Sequence, residues 1–251
     1  MAYQQMAYLY DQLMMEAPYN KWLEFTEEMI RQTGKKVSKI ADLGCGTGQI
    51  TTRLAAKGYQ MTGVDYSIDM LSYAEQRSSD QSLSVQWIHQ DLRELEGIKD
   101  VDLAVSYCDV MNYITTEKEL NVVFEKVSDI LNPGGLFIFD VHSMYHVENN
   151  FVNHTFGDVS EDISYIWFCL EGDIPGEMYH DLTFFVKDGN QYNRFDEYHH
   201  QQTFPIEKYQ ELLIQSGFEI SNISADFSME KQNLSKHAER IFIVAEKRSG
   251  K

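Results

Sequence analysis

The sequence has few cysteines, few basic residues and no long apolar run. Its three cysteines, Cys45, Cys108 and Cys169, are odd in number and lack CxxC spacing, which indicates neither a disulfide framework nor a structural zinc site. No apolar run approaches the roughly 18 residues that span a bilayer, and the N-terminus has no basic segment followed by an apolar stretch. We therefore expect a cytoplasmic protein without a membrane segment.

Basic residues are scarce relative to acidic ones. The 251 residues include 21 Lys and Arg against 39 Asp and Glu, so the formal net charge is −18 at pH 7. Such a charge repels phosphate backbones and acidic membrane surfaces, which argues against general binding of DNA or RNA. With 43% hydrophobic and 13% aromatic residues, the chain has the composition of a folded protein, either one domain with an insertion or two small domains.

Most of the chain alternates between strand and helix patterns. Residues 37–140 contain five short apolar runs separated by segments long enough for a helix, which predicts an α/β core with parallel strands. Residues 2–33 resemble two helices, the second beginning near Pro18. Residues 145–204 contain thirteen aromatic residues and strand-like runs, which predict three or four antiparallel strands. A helix that stops at Gly217 and two further strands then complete the main sheet.

The most informative segment is IADLGCGTGQ, residues 40–49. Glycines follow a strand at positions 44, 46 and 48, where the backbone can turn tightly and approach a ligand. The helix that follows offers free N–H groups to a polar ligand. The third glycine comes one residue too early for the GxGxxG dinucleotide motif, but Asp65 ends the next strand, where an acidic residue can bind ribose hydroxyls. These features indicate a nucleoside-containing cofactor without a pyrophosphate.

Four motifs in register resemble those of the class I S-adenosylmethionine-dependent methyltransferases: DLGCGTG at 42–48, GVDYS at 63–67, HQDL at 89–92 and NPGGLFIFD at 132–140. The resemblance implies a seven-stranded Rossmann-like sheet with helices on both faces, formed by 1–144 and 205–251. Residues 1–33 would form a helical lid, and 145–204 would be an antiparallel β insertion that binds substrate. Similar additions occur in glycine N-methyltransferase and the aminosugar N,N-dimethyltransferases.

The resemblance also implies roles for individual residues in binding S-adenosyl-L-methionine. Backbone groups of the glycine loop would contact its methionine part, Asp42 would hold the loop or the ammonium group, and Asp65 would accept hydrogen bonds from the ribose. The next motif would bind adenine, and the end of the fourth strand would lie beside the sulfonium. The full set of predicted cofactor-binding residues is Asp42, Gly44, Cys45, Gly46, Thr47, Asp65, Tyr66, Met70, Asp91, Leu92, Ser106, Tyr107 and Cys108.

One of these residues, Met70, has an equally good structural interpretation. Tyr66 and Met70 are predicted to cover the adenine ring, but Met70 also lies at helical spacing with Ala74, as a core residue would. Asp91 is predicted to accept from the adenine amino group, and the Leu92 N–H to donate to a ring nitrogen.

Methyl transfer is an in-line displacement that requires alignment of the acceptor and removal of its proton. His142 follows the fifth strand, at the sheet edge where open α/β proteins place their sites. Tyr10 and Tyr19 lie in the predicted lid. These three are the candidate catalytic residues, although His142 also suits a hydrogen-bonded structural histidine and the tyrosines suit helix packing.

Adjacent histidines at 199 and 200 invite a metal interpretation. Side chains next to each other on a strand point to opposite faces, so His199 and His200 cannot both bind one ion without distortion. A solvated strand edge explains them better, and we predict no metal site.

Three functions remain open from the sequence. The first is methylation of a small molecule, at an amine or a hydroxyl. Residues 145–204 hold eleven acidic residues against Lys187 and Arg194, which suits either a solvated sheet face or attraction of a cationic substrate. The second is methylation of tRNA or a protein, for which the nearest basic candidates are the pair Lys35 and Lys36 and the pair Lys247 and Arg248. The third is a regulator that binds the cofactor without transferring its methyl. The sequence leaves open whether the chain is a monomer or a dimer.

Overall fold

The computed structural model describes residues 10–11, 14, 17–230 and 234–249. The strands of this part of the chain are β1 Lys39–Leu43, β2 Gln60–Asp65, β3 Val85–His89, β4 Val101–Ser106, β5 Leu131–His142, β6 His154–Val159, β7 Ile163–Glu171, β8 Glu177–Asp188, β9 Gln191–Gln202, β10 Phe218–Ala225 and β11 Arg240–Lys247. The longer helices are α1 Tyr19–Thr33, α2 Gln49–Ala56, α3 Ile68–Asp80, α4 Glu117–Ile130 and α5 Ile206–Gln215.

Seven strands form the main sheet, in the order β10-β11-β5-β4-β1-β2-β3. The first five strands are mutually parallel, because each is joined to the next by a crossover that carries helix. β11 runs antiparallel to both β5 and β10. The predicted seven-stranded Rossmann-like sheet is confirmed, and β11 runs opposite to the other six strands of this described sheet.

Apolar side chains cover both faces of this sheet. On one face, α4 and α5 bury Phe124 and Tyr209 against Phe137 and Phe139 of β5. On the other, α1 and α2 pack against β1, β4 and β11, and the ring of Phe25 lies 4.5 Å from that of Phe242. The carboxyl ends of the parallel strands are left open between these two layers.

Helix α1 lies where the sequence places the second N-terminal helix. It begins directly after Pro18, which needs no N–H in that position, and ends at Gly34 in the left-handed conformation, with φ of 66°. Trp22, Phe25 and Met29 are buried at helical spacing. Most of the first predicted helix lies outside the described residues.

A second, four-stranded antiparallel sheet has the order β6-β7-β8-β9 and lies within residues 145–204. Its inner face buries Cys169, Met178 and Phe184. Its outer face exposes a row of apolar side chains, including Ile166, Phe168 and Leu170 of β7. No helix in the described ranges has both the length and the apolar character needed to cross a membrane.

Candidate active site

A cavity of about 550 Å³ opens at the carboxyl ends of β1, β2 and β4. Its wall comes from the N-terminal segment, the glycine loop, the turns after β2, β3 and β4, and strand β9. The lining residues are Tyr10, Met14, Tyr19, Asp42, Gly44, Cys45, Gly46, Thr47, Gln49, Ile50, Asp65, Tyr66, Ser67, Met70, Gln90, Asp91, Leu92, Arg93, Tyr107, Cys108, Asp109, Val110, Tyr113, Ile114 and His199.

The glycine loop forms the floor at one end of the cavity. Gly44 has φ of 76°, and a Cβ there would lie 2.4 Å from Cγ1 of Val110, so the position requires glycine on two counts. Gly46 also has positive φ, but a Cβ there would meet no atom within 4 Å. Gly48 precedes α2 and provides no side-chain cap for that helix. Within the loop, open space therefore lies next to the backbone at Gly46.

Two carboxylates flank this loop. Asp42 Oδ2 accepts a 2.5 Å hydrogen bond from Thr51, and burial raises the pKa of Asp42 to about 7. Asp65 accepts backbone N–H groups of Gly46 and Ser67 at 2.8 Å, one on each carboxylate oxygen. Burial also raises the pKa of Asp65, although these two hydrogen bonds oppose the shift. A positively charged or hydrogen-bonding ligand next to either carboxyl group would therefore change its pKa.

The turn after β3 forms another part of the cavity wall. Asp91 binds the guanidinium of Arg93, which also pairs with Glu119, and the Arg93 side chain lowers the pKa of Asp91. Leu92 is buried at the start of a short helical turn, Leu92–Glu94. Tyr66 is 74% exposed, and its ring is therefore available to cover a ligand.

The turn after β4 has an unusual backbone. Cys108 and Asp109 both adopt left-handed φ values, 58° and 55°, which cost side-chain-bearing residues roughly 1–2 kcal/mol each. Tyr107 is buried, and its hydroxyl lies 2.6 Å from that of Thr26 on α1. Ser106, by contrast, is not part of the cavity wall, since its hydroxyl donates to the carbonyl of Leu43 on β1.

The strained turn is held by a buried ionic cluster. Arg240 of β11 donates to Asp140 Oδ2 at 2.5 Å and to Asp109 Oδ1 at 3.2 Å. Trp22 also donates to Asp140, whose side chain is fully buried. Burial raises the pKa of Asp140. Burial acts in the same direction on Asp109, but His142, Arg240 and a neighbouring amide together lower its pKa.

His142 occupies a position different from the one expected of a catalytic residue. It is buried behind Asp109, with Nε2 3.5 Å from Asp109 Oδ2, and its ring packs against that of Phe151. It lines a separate cavity of about 250 Å³ on the far side of β5. The sequence interpretation as a structural histidine describes this position better.

A hydrogen-bond chain joins the second sheet to the strained turn. Trp167 Nε1 donates to His180 Nδ1, His180 Nε2 faces Gln201 Oε1 at 3.1 Å, and Gln201 Nε2 donates to Asp109 Oδ2 at 3.0 Å. His180 Nδ1 accepts, so Nε2 carries the ring proton and donates to Gln201. His199, two residues before Gln201, faces the cavity, which contradicts our expectation that it lies on a solvated edge.

Described residues of the N-terminal segment contribute to the cavity wall. Tyr10, Met14 and Tyr19 line it, and burial raises the pKa of both tyrosines. Asp11 accepts hydrogen bonds from Thr47 and Gln49 of the glycine loop and forms an ion pair with Arg77 of α3. We call these contacts of Asp11 the lid latch.

All of the predicted site residues except Ser106 and His142 meet at this one cavity. The sequence reasoning missed Asp109, Tyr113 and His199, which belong to no donor motif. Arg240 was also missed. The sequence did contain a signal for it, because Arg240 begins the apolar run RIFIVAEK and the strand GLFIFD ends in the acidic residue Asp140. In the described part of the chain, no group of three or more His, Cys, Asp or Glu side chains is arranged to hold a metal ion.

Comparison with known proteins gives a consistent result. Residues 40–135 match the family described as "Methyltransferase domain". The chain is 40% identical over 249 residues to a protein of Geobacillus sp. (strain WCH70) named as a methyltransferase, covering 98% of this chain and 100% of that one. It is 42% identical over 248 residues to the protein named methyltransferase YqeM of Bacillus subtilis (strain 168), covering 98% of each.

Solved structures agree with these relatives. An S-adenosylmethionine-dependent methyltransferase from Clostridium acetobutylicum ATCC 824 superposes with a TM-score of 0.89 at 30% identity, over 99% of this chain and 100% of that one. CalS10 of Micromonospora echinaspora, an amino pentose methyltransferase, shares the fold with a TM-score of 0.76 at 18% identity, over 96% of each chain. The chain belongs to the class I S-adenosylmethionine-dependent methyltransferases, which confirms the predicted enzyme class and cofactor.

The ionic cluster generates a stability prediction. Replacing Arg240 with Met leaves the buried carboxylate of Asp140 and the partly buried one of Asp109 without the guanidinium, so we expect the free energy of unfolding at pH 7 to fall by about 3–5 kcal/mol. Arg240→Met combined with Asp140→Asn removes one of those charges and should recover part of the loss. Urea denaturation measures both, with the exposed Arg248→Met as control. Equal stability of the Arg240 and Arg248 variants would contradict this account of the cluster.

The lid latch generates a kinetic prediction. Asp11→Asn removes the charge that Arg77 faces, so S-adenosylhomocysteine should dissociate about tenfold faster, as loss of roughly 1.5 kcal/mol implies. Stopped-flow fluorescence measures the rate. Asp80→Asn, an exposed change on the same helix as Arg77, is the control, and an unchanged rate in Asp11→Asn would show that the latch does not hold the ligand.

Proposed function

We propose that this protein transfers the methyl group of S-adenosylmethionine to an amine or a hydroxyl of a small molecule, in the cytoplasm. One observation carries the proposal: beyond the predicted cofactor residues, the cavity wall includes Asp109, Tyr113 and His199, which belong to no donor motif. We take this part of the wall, together with Tyr10 and Tyr19, as the acceptor end. A volume of about 550 Å³ is in the range of small-molecule sites. Described residues of the lid and of the second sheet both contribute to the cavity wall, which favours a small acceptor over a macromolecule.

The residues around the glycine loop fit the cofactor. The open space above Gly46 admits the methionine part, which a Cβ there would obstruct. Asp42 would face its ammonium group, and the bound cation would lower the raised pKa of this carboxyl. The N–H groups of Gly46 and Ser67 donate to different oxygens of Asp65, and since a carboxylate offers about four acceptor sites, Asp65 retains capacity for a ribose hydroxyl.

The other predicted contacts follow along the cavity wall. We assign the adenine ring to the space between Tyr66 and Met70, with Asp91 and the Leu92 N–H at its polar edge. The remaining loop residues, Cys45 and Thr47, would enclose the methionine part. Tyr107 and Cys108 would then lie beside the sulfur. When bound, the cofactor supplies an electrophilic methyl group, and the protein excludes water and aligns the acceptor.

The acceptor end is aromatic and carries one carboxylate, Asp109. Phenol rings and a carboxylate suit an acceptor that has both apolar surface and a polar or cationic group. The acidic excess of residues 145–204 would attract a cationic acceptor. Two proteins of the same fold support a small-molecule acceptor: CalS10 is named as an amino pentose methyltransferase and KedS8 as a sugar N-methyltransferase.

The proposed binding mode predicts the effect of changing Asp65. Asp65→Asn keeps the size of the side chain but removes the charge and one acceptor oxygen. Loss of a charge-assisted hydrogen bond worth roughly 1.5–3 kcal/mol should weaken S-adenosylmethionine binding at least about tenfold in calorimetry. Asp129→Asn, on the exposed side of α4, should bind as the wild type does. Unchanged affinity in Asp65→Asn would refute the ribose assignment.

A labelling experiment tests the function itself. The protein is incubated with methyl-labelled S-adenosylmethionine and, in separate arms, with the filtered small-molecule fraction, the tRNA and the protein of Bacillus subtilis cells. We expect label in the small-molecule arm, read out by mass spectrometry. Label confined to tRNA or protein would overturn the proposal. Tight cofactor binding without transfer in any arm would instead indicate a regulator.

A further inference from the structure

His199 is set apart from the other titratable groups at the acceptor end by its position. It projects from β9 into the cavity, and its ring makes an edge contact with that of Tyr113, with the centroids 5.8 Å apart. In the described structure neither of its ring nitrogens has a hydrogen-bond partner. An unpaired imidazole at a cavity wall is available to a ligand.

The charged and titratable groups around His199 come from three elements. Glu197 lies on its own strand, His180 is directly opposite on β8, and Asp109 and Tyr113 face it from the turn after β4. Burial lowers the pKa of His199, while Glu197 and Asp109 act in the opposite direction. The ring is therefore neutral at pH 7 and able to accept a proton.

Other groups near the acceptor end are poorly suited to accept a proton. Both oxygens of Asp109 are engaged, one by Arg240 and the other by Gln201. Burial raises the pKa of Tyr10, Tyr19 and Cys108, which keeps them protonated. Both ring nitrogens of His180 have partners, and His142 lies outside the cavity wall.

We propose that His199 is the catalytic residue that accepts the proton of the attacking amine or hydroxyl, an inference that rests on the function proposed above. The acceptor nitrogen or oxygen forms a bond to the methyl carbon, and the carbon–sulfur bond breaks with its electron pair on sulfur. The proton of the acceptor passes to the free ring nitrogen of His199, which becomes imidazolium and later releases it to solvent. Atoms and charge balance without another reactant.

The neighbouring histidine provides a matched control. His200 points to the opposite face of β9, where its Nε2 lies 2.8 Å from Glu177 Oε1. It shares the strand, the residue type and the sequence context of His199, but it does not line the cavity. His199→Gln and His200→Gln therefore make the same chemical change on opposite sides of one strand.

The test compares these two variants with the wild type, using methyl-labelled S-adenosylmethionine and the small-molecule fraction of Bacillus subtilis cells as the acceptor probe. We expect His199→Gln to lose at least about 100-fold in the rate of label transfer, within the range of general-base catalysis. His200→Gln should transfer at the wild-type rate. Calorimetry with S-adenosylhomocysteine should give the same affinity for all three proteins, which separates loss of chemistry from loss of folding.

Two pH measurements complete the test. The wild-type transfer rate should fall at acid pH. The midpoint of this fall should match the pH at which the His199 ring titrates, measured by ¹⁵N NMR in the protein without acceptor. His199→Gln should lose this acid limb. Wild-type rates and pH profile in His199→Gln, or equal losses in both variants, would overturn the proposal. Absence of transfer by the wild type would instead refute the proposed function and, with it, the assignment of His199.

Discussion

The buried contact between Arg240 and the carboxylates of Asp109 and Asp140 is the interaction on which the site depends. It joins β11, which runs antiparallel to its neighbours, to β5 and to the turn after β4. Two adjacent residues of that turn have left-handed backbones, a conformation that persists only where surrounding contacts impose it. The guanidinium and the buried carboxylates supply that constraint at the point where donor and acceptor ends of the cavity meet.

The same cluster connects the two segments that distinguish this chain from a bare methyltransferase sheet. Trp22, from the second predicted helix of the lid, donates to Asp140, and Gln201, from the second sheet, donates to Asp109. Lid and insertion therefore share one electrostatic anchor, although they do not share a helix or a strand. Substitution of one carboxylate would alter the position of both walls of the cavity, because a few charged hydrogen bonds connect the two walls.

The cofactor residues predicted from the sequence lie together at one cavity because their positions follow from local patterns. The glycine loop, Asp65 and the turn at Asp91 each follow a strand, and parallel strands bring their carboxyl ends to one edge. Ser106 lies outside the cavity wall because its side chain faces β1. His142 lies outside the cavity wall and His199 lines it, because which of them reaches the cavity depends on how the second sheet docks, which no local pattern specifies.

Arg240 has a consequence for how the protein is made. It follows Asp140 by 100 residues and Asp109 by 131, and its strand inserts between β5 and β10. Until that strand leaves the ribosome, the two carboxylates have no cation, whereas β1, β2 and the glycine loop are already complete. During translation the cofactor loop can therefore form early, while the acceptor end becomes ordered only after nearly the whole described chain has emerged.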